Sequence, residues 1–170
     1  MASPAGALTV RRSTPDERAW VAARLVDLWG SVYAARLGVL VDASALPALV
    51  SERAGERVGL ATFDIQDDAC EVVTIDAFVG GTGVGSSLLS AVVDEARAHG
   101  CRRLWLITTN DNMRALRFYQ RRGLRLAALH RDALALSRRL KPSIAEIGQD
   151  GIPLRDELEL EMLLEPVDGA

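Results

Sequence analysis

Side chains that usually announce a reactive centre are scarce in this 170-residue chain: one lysine, two histidines and two cysteines. Lys141 is the only lysine, so 19 of the 20 basic residues are arginine, a skew that reads as genome composition rather than function. Cys70 and Cys101 are far apart and form no C-x-x-C pair. That argues against a disulfide scaffold and suits a reduced, intracellular protein. His99 and His130 have no acidic or cysteine partner at metal-ligand spacing, so no metal is expected. No uninterrupted apolar run approaches the ~18 residues of a membrane span. The start, MASPAGAL, has neither a basic n-region nor an apolar h-region, so a soluble cytoplasmic protein with no membrane partner is expected. A formal net charge of -3 argues against a general nucleic-acid binder. Internal repeats and low-complexity segments are missing too.

What is present is a core. With 49% hydrophobic and 25% charged residues, the chain is expected to fold as one domain over residues 1–170. Residues 8–12 read as a first strand. Thr14-Pro15-Asp16-Glu17 reads as a helix start, with a capping residue, a proline at the first helical position and a capping-box glutamate. Trp20, Val21, Leu25 and Leu28 give that helix its apolar stripe, and Gly30 ends it. Residues 32–36 read as a short second helix followed by a loop. Residues 46–52, 57–66 and 71–79 read as three strands of an antiparallel meander, with turns at Ala54-Gly55-Glu56 and Asp67-Asp68. Later come a buried strand over 102–108, a helix over 111–122 stopped by Gly123, and a strand over 124–129. A helical stretch over 131–140 precedes a loop with Pro142, Gly148, Gly151 and Pro153. In the closing strand, 157–164, Glu157, Glu159 and Glu161 alternate with Leu158, Leu160 and Met162, which predicts one wet face.

The chain is organised around residues 70–100. A strand rich in β-branched residues runs into Gly80, Gly81, Gly83 and Gly85, and then into a helix. That helix carries apolar residues at Val84, Leu88, Leu89, Val92, Val93 and Ala96, with Gly100 at its end. A strand, glycine loop and helix present free backbone N–H groups and the positive end of a helix dipole to a phosphate. A Rossmann-type nucleotide site fits poorly. The third glycine of G-x-G-x-x-G is replaced by Ser86, and Arg103 stands where an acidic residue is needed about 20 positions on.

Two stretches resemble the GNAT superfamily of acyl-CoA N-acyltransferases. Gly80-Gly81-Thr82-Gly83-Val84-Gly85 is similar to its pyrophosphate loop, Arg/Gln-x-x-Gly-x-Gly/Ala. Residues 112–124, NMRALRFYQRRGL, are similar to its Asn-x-x-Ala-x-x-Phe-Tyr signature followed by Gly-Phe. The resemblance covers nearly the whole chain. It implies an α/β mixed sheet in three layers, ordered β-α-(α)-β-β-β-α-β-α-β-β, with a splayed central strand pair. It also implies acetyl-CoA as co-substrate and acetyl transfer to a primary amine by direct attack in a ternary complex. Residues Gly80, Gly81, Thr82, Gly83, Val84, Gly85 and Ser86 are implied at the pyrophosphate. Ile75 and Ala77 would pair with the pantetheine amides. Asn112 would bond the pantetheine arm, and Tyr119 would act as general acid on the departing thiolate. Asn112 and Tyr119 are seven apart, so a helix puts them on one face about 10 Å apart. In histone acetyltransferases of the superfamily a glutamate matching Glu71 is the general base; its other reading here is an ion pair or a solvent-facing carboxylate.

One departure stands out: Gly80 occupies the place of the usual Arg or Gln. It raises a second reading, a catalytically weak acyl-CoA-binding sensor. In the family the loop before the last strand borders the acceptor, and here that loop is long and ends on Asp156 and Glu157. Carboxylates there predict a small cationic or amine-bearing acceptor, with the protein a monomer or homodimer.

Overall fold

The computed structural model describes residues 6–165. From β1 (Leu8–Arg12) the chain passes Thr14 in an extended conformation, and one 3-10 turn over Pro15–Glu17 opens α1 (Arg18–Trp29). The Glu17 carboxylate accepts the Thr14 N–H at 2.9 Å and pairs with Arg11 and Arg57, which anchors the helix start. Gly30, at φ 73°, supplies the left-handed residue that ends α1.

The short helix expected over residues 32–36 is absent. The chain instead forms a hairpin of β2 (Tyr33–Arg36) and β3 (Val39–Asp42), paired from Tyr33↔Asp42 to Arg36↔Val39. Its two turn residues, Leu37 and Gly38, both have positive φ, 50° and 70°. Such a turn matches strand twist. Leu-Gly is a poor signal for it, since leucine rarely takes positive φ.

The meander follows as β4 (Ala48–Arg53), β5 (Glu56–Gln66) and β6 (Ala69–Ala77). Then come α2 (Val84–Ala98), β7 (Arg103–Thr109), α3 (Met113–Gln120), β8 (Arg125–His130), α4 (Ala133–Leu140) and β9 (Glu157–Leu163). Seven strands form one mixed sheet in the order β1-β4-β5-β6-β7-β9-β8, with β6 and β7 parallel and the other neighbours antiparallel. Helix α2 lays all six of its expected apolar positions on one face, against Phe63, Val72, Leu104 and Leu160. Each such leucine contributes about 1.5–3 kcal/mol by leaving water. The opposite face carries a smaller core of Val21 and Leu25 from α1 with Val50 and Leu60.

Two details of packing position the site. At Gly59 of β5, a Cβ would collide with Val84 Cγ1 and approach Leu88 Cδ1 at 2.9 Å. The missing side chain seats the first turn of α2 directly on the sheet. In β6, Thr62 faces Thr74 but Phe63 faces Val72, so Val73 is an extra residue. This β-bulge re-aims the strand. Glu71, five residues before Asp76, would otherwise lie on the opposite face. With the bulge, Glu71 reaches Arg36 of the hairpin while Asp76 reaches Trp29 of α1, both on the same side.

The wet face expected for β9 is also corrected. Glu157 is 1% exposed, Glu159 bonds Arg103 and His130, and Glu161 bonds Arg103. Strand β9 lies between β7 and β8, so Glu159 and Glu161 meet Arg103 and His130, while Glu157 is bonded by the Leu37 N–H and the Ser137 hydroxyl.

Candidate active site

Strands β6 and β7 pair only over Ala69↔Arg103, Cys70↔Leu104 and Glu71↔Trp105. Beyond Glu71 they diverge, although β6 runs on to Ala77 and β7 to Thr109. Ile75 and Ala77 pair on their other side with Ala61 and Gly59 of β5. Their edge towards β7 has no ladder partner. A splayed parallel pair thus leaves a gap in the sheet, lined by backbone groups that can receive an extended ligand.

The glycine loop lies at one end of this gap. Gly81 and Gly83 have φ of 72° and 80°, and a Cβ on either would meet nothing within 4 Å, so the space beside them is open. Gly83 caps α2, and the first intrahelical bond runs from Ser87 N–H to its carbonyl. The N–H groups of Val84, Gly85 and Ser86 therefore have no helical acceptor. The Val84 side chain is buried and takes part through its backbone alone. Arg53 donates to the Thr82 carbonyl at 2.9 Å, and Thr82 Oγ1 donates to the Val79 carbonyl at 3.0 Å, which braces the loop from behind. The Ser86 hydroxyl is engaged by Arg122 of the turn after α3. Gly80 leaves room for a cation from elsewhere: Arg114 Nη2 lies 3.9 Å from the point a Gly80 Cβ would occupy.

A cavity of about 240 Å³ runs along the gap, lined by Ile75, Asp76, Gly85, Asn112, Arg114 and Tyr119 among others. Asn112 caps α3, its Oδ1 accepting the Ala115 N–H at 3.1 Å, which leaves its amide NH2 free to donate. Tyr119 packs edge-on to Phe118 at 5.2 Å between ring centres. Burial first, and then the nearby Asp76 carboxylate, push its hydroxyl above the usual tyrosine range, so the proton stays on oxygen at neutral pH. Asp76 accepts the Trp29 indole N–H at 2.9 Å, yet burial holds its carboxyl above the ordinary aspartate range.

A second cavity, about 200 Å³, lies between the β2–β3 hairpin, β6, β7 and α4, and Asn112 lines it as well as the first. Here Glu71, 5% exposed, is held by both Nε and Nη2 of Arg36. Glu157 also lines this cavity, with its oxygens accepting from Leu37 N–H at 2.6 Å and Ser137 Oγ at 3.0 Å. Asp156 is elsewhere. It accepts the Asp132 N–H at 2.9 Å and an Arg155 contact, and does not line either cavity. The open carboxylate pair expected at the cleft mouth is therefore not formed, because both side chains are bonded within the fold. The long segment after α4 is pinned too. Asn110 bonds Pro153, Arg155 and Asp156, while Arg138 bonds the carbonyls of Ile144, Ala145 and Leu154.

Sequence reasoning passed over Asp76, Arg114, Arg36 and Lys141. For Arg114 a signal existed, a basic residue in the first turn of the helix that carries the second motif. For the others the placement depends on the bulge and the hairpin. Among the described residues no group of three or more His, Cys, Asp or Glu is arranged to hold a metal ion. Nor is any described helix long and apolar enough to cross a membrane.

The chain is similar to known proteins in sequence and in fold. The uncharacterized protein YdhI of Bacillus subtilis (strain 168) is 42% identical over 111 residues, 65% of this chain and 69% of that one. A GNAT family acetyltransferase from Elizabethkingia anophelis, solved with acetyl-CoA bound, superposes with a TM-score of 0.67 over 92% of this chain and 98% of its own, at 19% identity. A Bacillus subtilis acetyltransferase solved in complex with CoA gives 0.66 over 95% and 100%, also at 19% identity. Residues 12–124 match the Acetyltransferase (GNAT) family, and with two thirds of its length inside that match the chain belongs to the GNAT acetyltransferases.

Proposed function

We propose that the protein transfers an acetyl group from acetyl-CoA to a primary amine of a small acceptor by direct attack in a ternary complex. One observation carries this reading: Asn112, beside the gap between β6 and β7, lines both cavities. The first suits the donor. Its fold relatives from Elizabethkingia and Bacillus were solved with acetyl-CoA and CoA, which supports acyl-CoA here. The free N–H groups of Val84, Gly85 and Ser86 receive the pyrophosphate, and the open space at Gly81 and Gly83 lets it approach. The unpaired edge at Ile75 and Ala77 meets the pantetheine amides, and the Asn112 amide donates to the arm. A groove lined by Arg114, Arg117, Arg121 and Arg122 offers the fixed positive charge that the remaining phosphate needs.

Arg114 takes over the role that the Gly80 position has left. Arg114→Met is expected to raise the acetyl-CoA KM about tenfold with kcat unchanged, the size of one charged hydrogen bond. Steady-state kinetics at saturating amine check this, and an unchanged KM would remove Arg114 from the donor site.

Bound acetyl-CoA supplies a thioester carbonyl open to a neutral amine. Asp76 takes the amine proton, because its burial raises its basicity and because it shares the first cavity with Tyr119. The amine nitrogen bonds to the acyl carbon as the carbon–sulfur bond breaks, and the Tyr119 hydroxyl gives the sulfur its proton. Glu71, with both oxygens committed to Arg36, shapes the acceptor wall.

An amine panel assayed for acetyl-CoA-dependent thiol release tests the function. Tyr119→Phe keeps the ring and removes the proton, so kcat is expected to fall about 10–100-fold while acetyl-CoA affinity holds. Donor binding without thiol release from any amine would instead make the chain an acyl-CoA-binding sensor.

A further inference from the structure

We propose that the acceptor carries a carboxylate as well as its amine, on an apolar body, and that Lys141 holds that carboxylate in the second cavity. The inference rests on the acetyl-transfer reading and replaces the cationic acceptor suggested by the run ending at Glu157. The cavity is walled by Trp29, Val73, Ile107, Leu134 and Ile144, which suit an aliphatic or aromatic body. Its charged groups are Arg36, Glu71, Lys141 and Glu157, two of each sign. The balance between them is decided by which are already satisfied.

Both carboxylates are. Glu71 is gripped by Arg36, and each Glu157 oxygen accepts from a neighbour of its own. A protonated amine approaching them would compete with bonds the fold has already made. Lys141 is different. Its Nζ donates to the Tyr33 carbonyl at 2.9 Å, which uses one of three ammonium protons. Among the described residues no carboxylate lies within 4.0 Å of it. It is half-buried at the end of α4, and that burial lowers its pKa. A part-buried cation with spare donors and no anion is completed by an anionic ligand group. Arg36, on the same wall, spends Nε and Nη2 on Glu71 and keeps its other amino group to assist. The acceptor amine then lies toward Asn112, the residue that both cavities share.

The test uses matched pairs: L-leucine with isoamylamine, L-phenylalanine with phenethylamine, and 6-aminohexanoate with hexylamine. Each pair shares a body and an amine and differs in the carboxylate. Thiol release is expected to favour a carboxylate-bearing member by about 10–100-fold in kcat/KM, the strength of one charged hydrogen bond. Lys141→Met, which keeps the apolar stem, is expected to erase that preference by raising KM for the amino acid. The acetyl-CoA KM stays unchanged, and Lys141→Arg keeps the preference. Calorimetry with CoA and the N-acetyl amino acids reads the same site without turnover, with binding to the native protein that is weakened about 10–100-fold in Lys141→Met. Equal use of both members of every pair, an unaltered preference in Lys141→Met, or no binding of the N-acetyl amino acids to the native protein would each overturn the proposal. Lys141-dependent binding without thiol release from any amine would leave the anchor standing and sink the acetyl-transfer reading instead.

Discussion

Gly83→Val is expected to abolish measurable acetyl-CoA binding in a protein that still folds. Gly83 caps α2 at φ 80°, beside the N–H groups of Val84, Gly85 and Ser86. A valine puts branched methyl groups in the open space through which the pyrophosphate reaches those donors. Losing several charge-assisted hydrogen bonds together weakens binding on the order of 1000-fold. The free protein suffers less, because a Cβ here meets nothing within 4 Å. Its cost is backbone strain, about 1–2 kcal/mol for a side chain in the left-handed region. Gly100 provides the control. It has φ 74° and equally open surroundings but lies past the far end of α2. Gly100→Val is expected to lose a similar few degrees of melting temperature and no affinity. Calorimetric titration of both variants decides the matter, and native-like affinity in Gly83→Val would place the phosphate elsewhere.

Asp76→Asn is expected to lower kcat/KM by about 10²–10⁴-fold, the range of a removed general base. Asparagine keeps the oxygen that accepts from Trp29, so the geometry survives while the basicity is lost. In the native enzyme kcat/KM should fall on the acid side as Asp76 takes up a proton. That limb should lie above the ordinary aspartate value of about 3.9 and vanish in the variant. Stability moves the other way. Because burial raises the folded carboxyl above its unfolded value, the native state binds this proton more tightly. Asp76 therefore favours folding below the unfolded pKa and loses that contribution as pH rises through the folded one. Melting temperature compared with the native protein should accordingly improve in Asp76→Asn from acid to neutral pH. Glu71→Gln makes the opposing case. It leaves the largely buried Arg36 guanidinium without its anion, a loss of order 3 kcal/mol, with a smaller effect on rate. Should Glu71→Gln lose the acid limb while Asp76→Asn keeps it, the base is Glu71.

The parts of this protein legible without its structure are those governed by local rules. The six apolar positions of α2 follow a helical period that only one buried face satisfies, and all six are buried. The glycine loop follows from backbone geometry, and the Asn112–Tyr119 spacing from helical pitch. The meander and the parallel crossover follow from turn chemistry and the crossover rule, whereas the mixed sheet as a whole is implied by the GNAT resemblance. Other features required the chain to fold back on itself. The Leu37–Gly38 turn is held in a hairpin by pairing that no helix propensity in YAAR reveals. The bulge at Val73 reverses the parity of β6, so Asp76, which strict alternation would put on the face opposite Glu71, lies on the same side and meets Trp29. Whether a glutamate on β9 faces water was decided by its neighbours, because β9 enters the sheet between β7 and β8 and meets their arginine and histidine. Charge in the second cavity was settled the same way. Sequence does not say which of the four charged groups there are already bonded, and the packing of the hairpin against α4 leaves Lys141, unlike Arg36, with no carboxylate partner among the described residues.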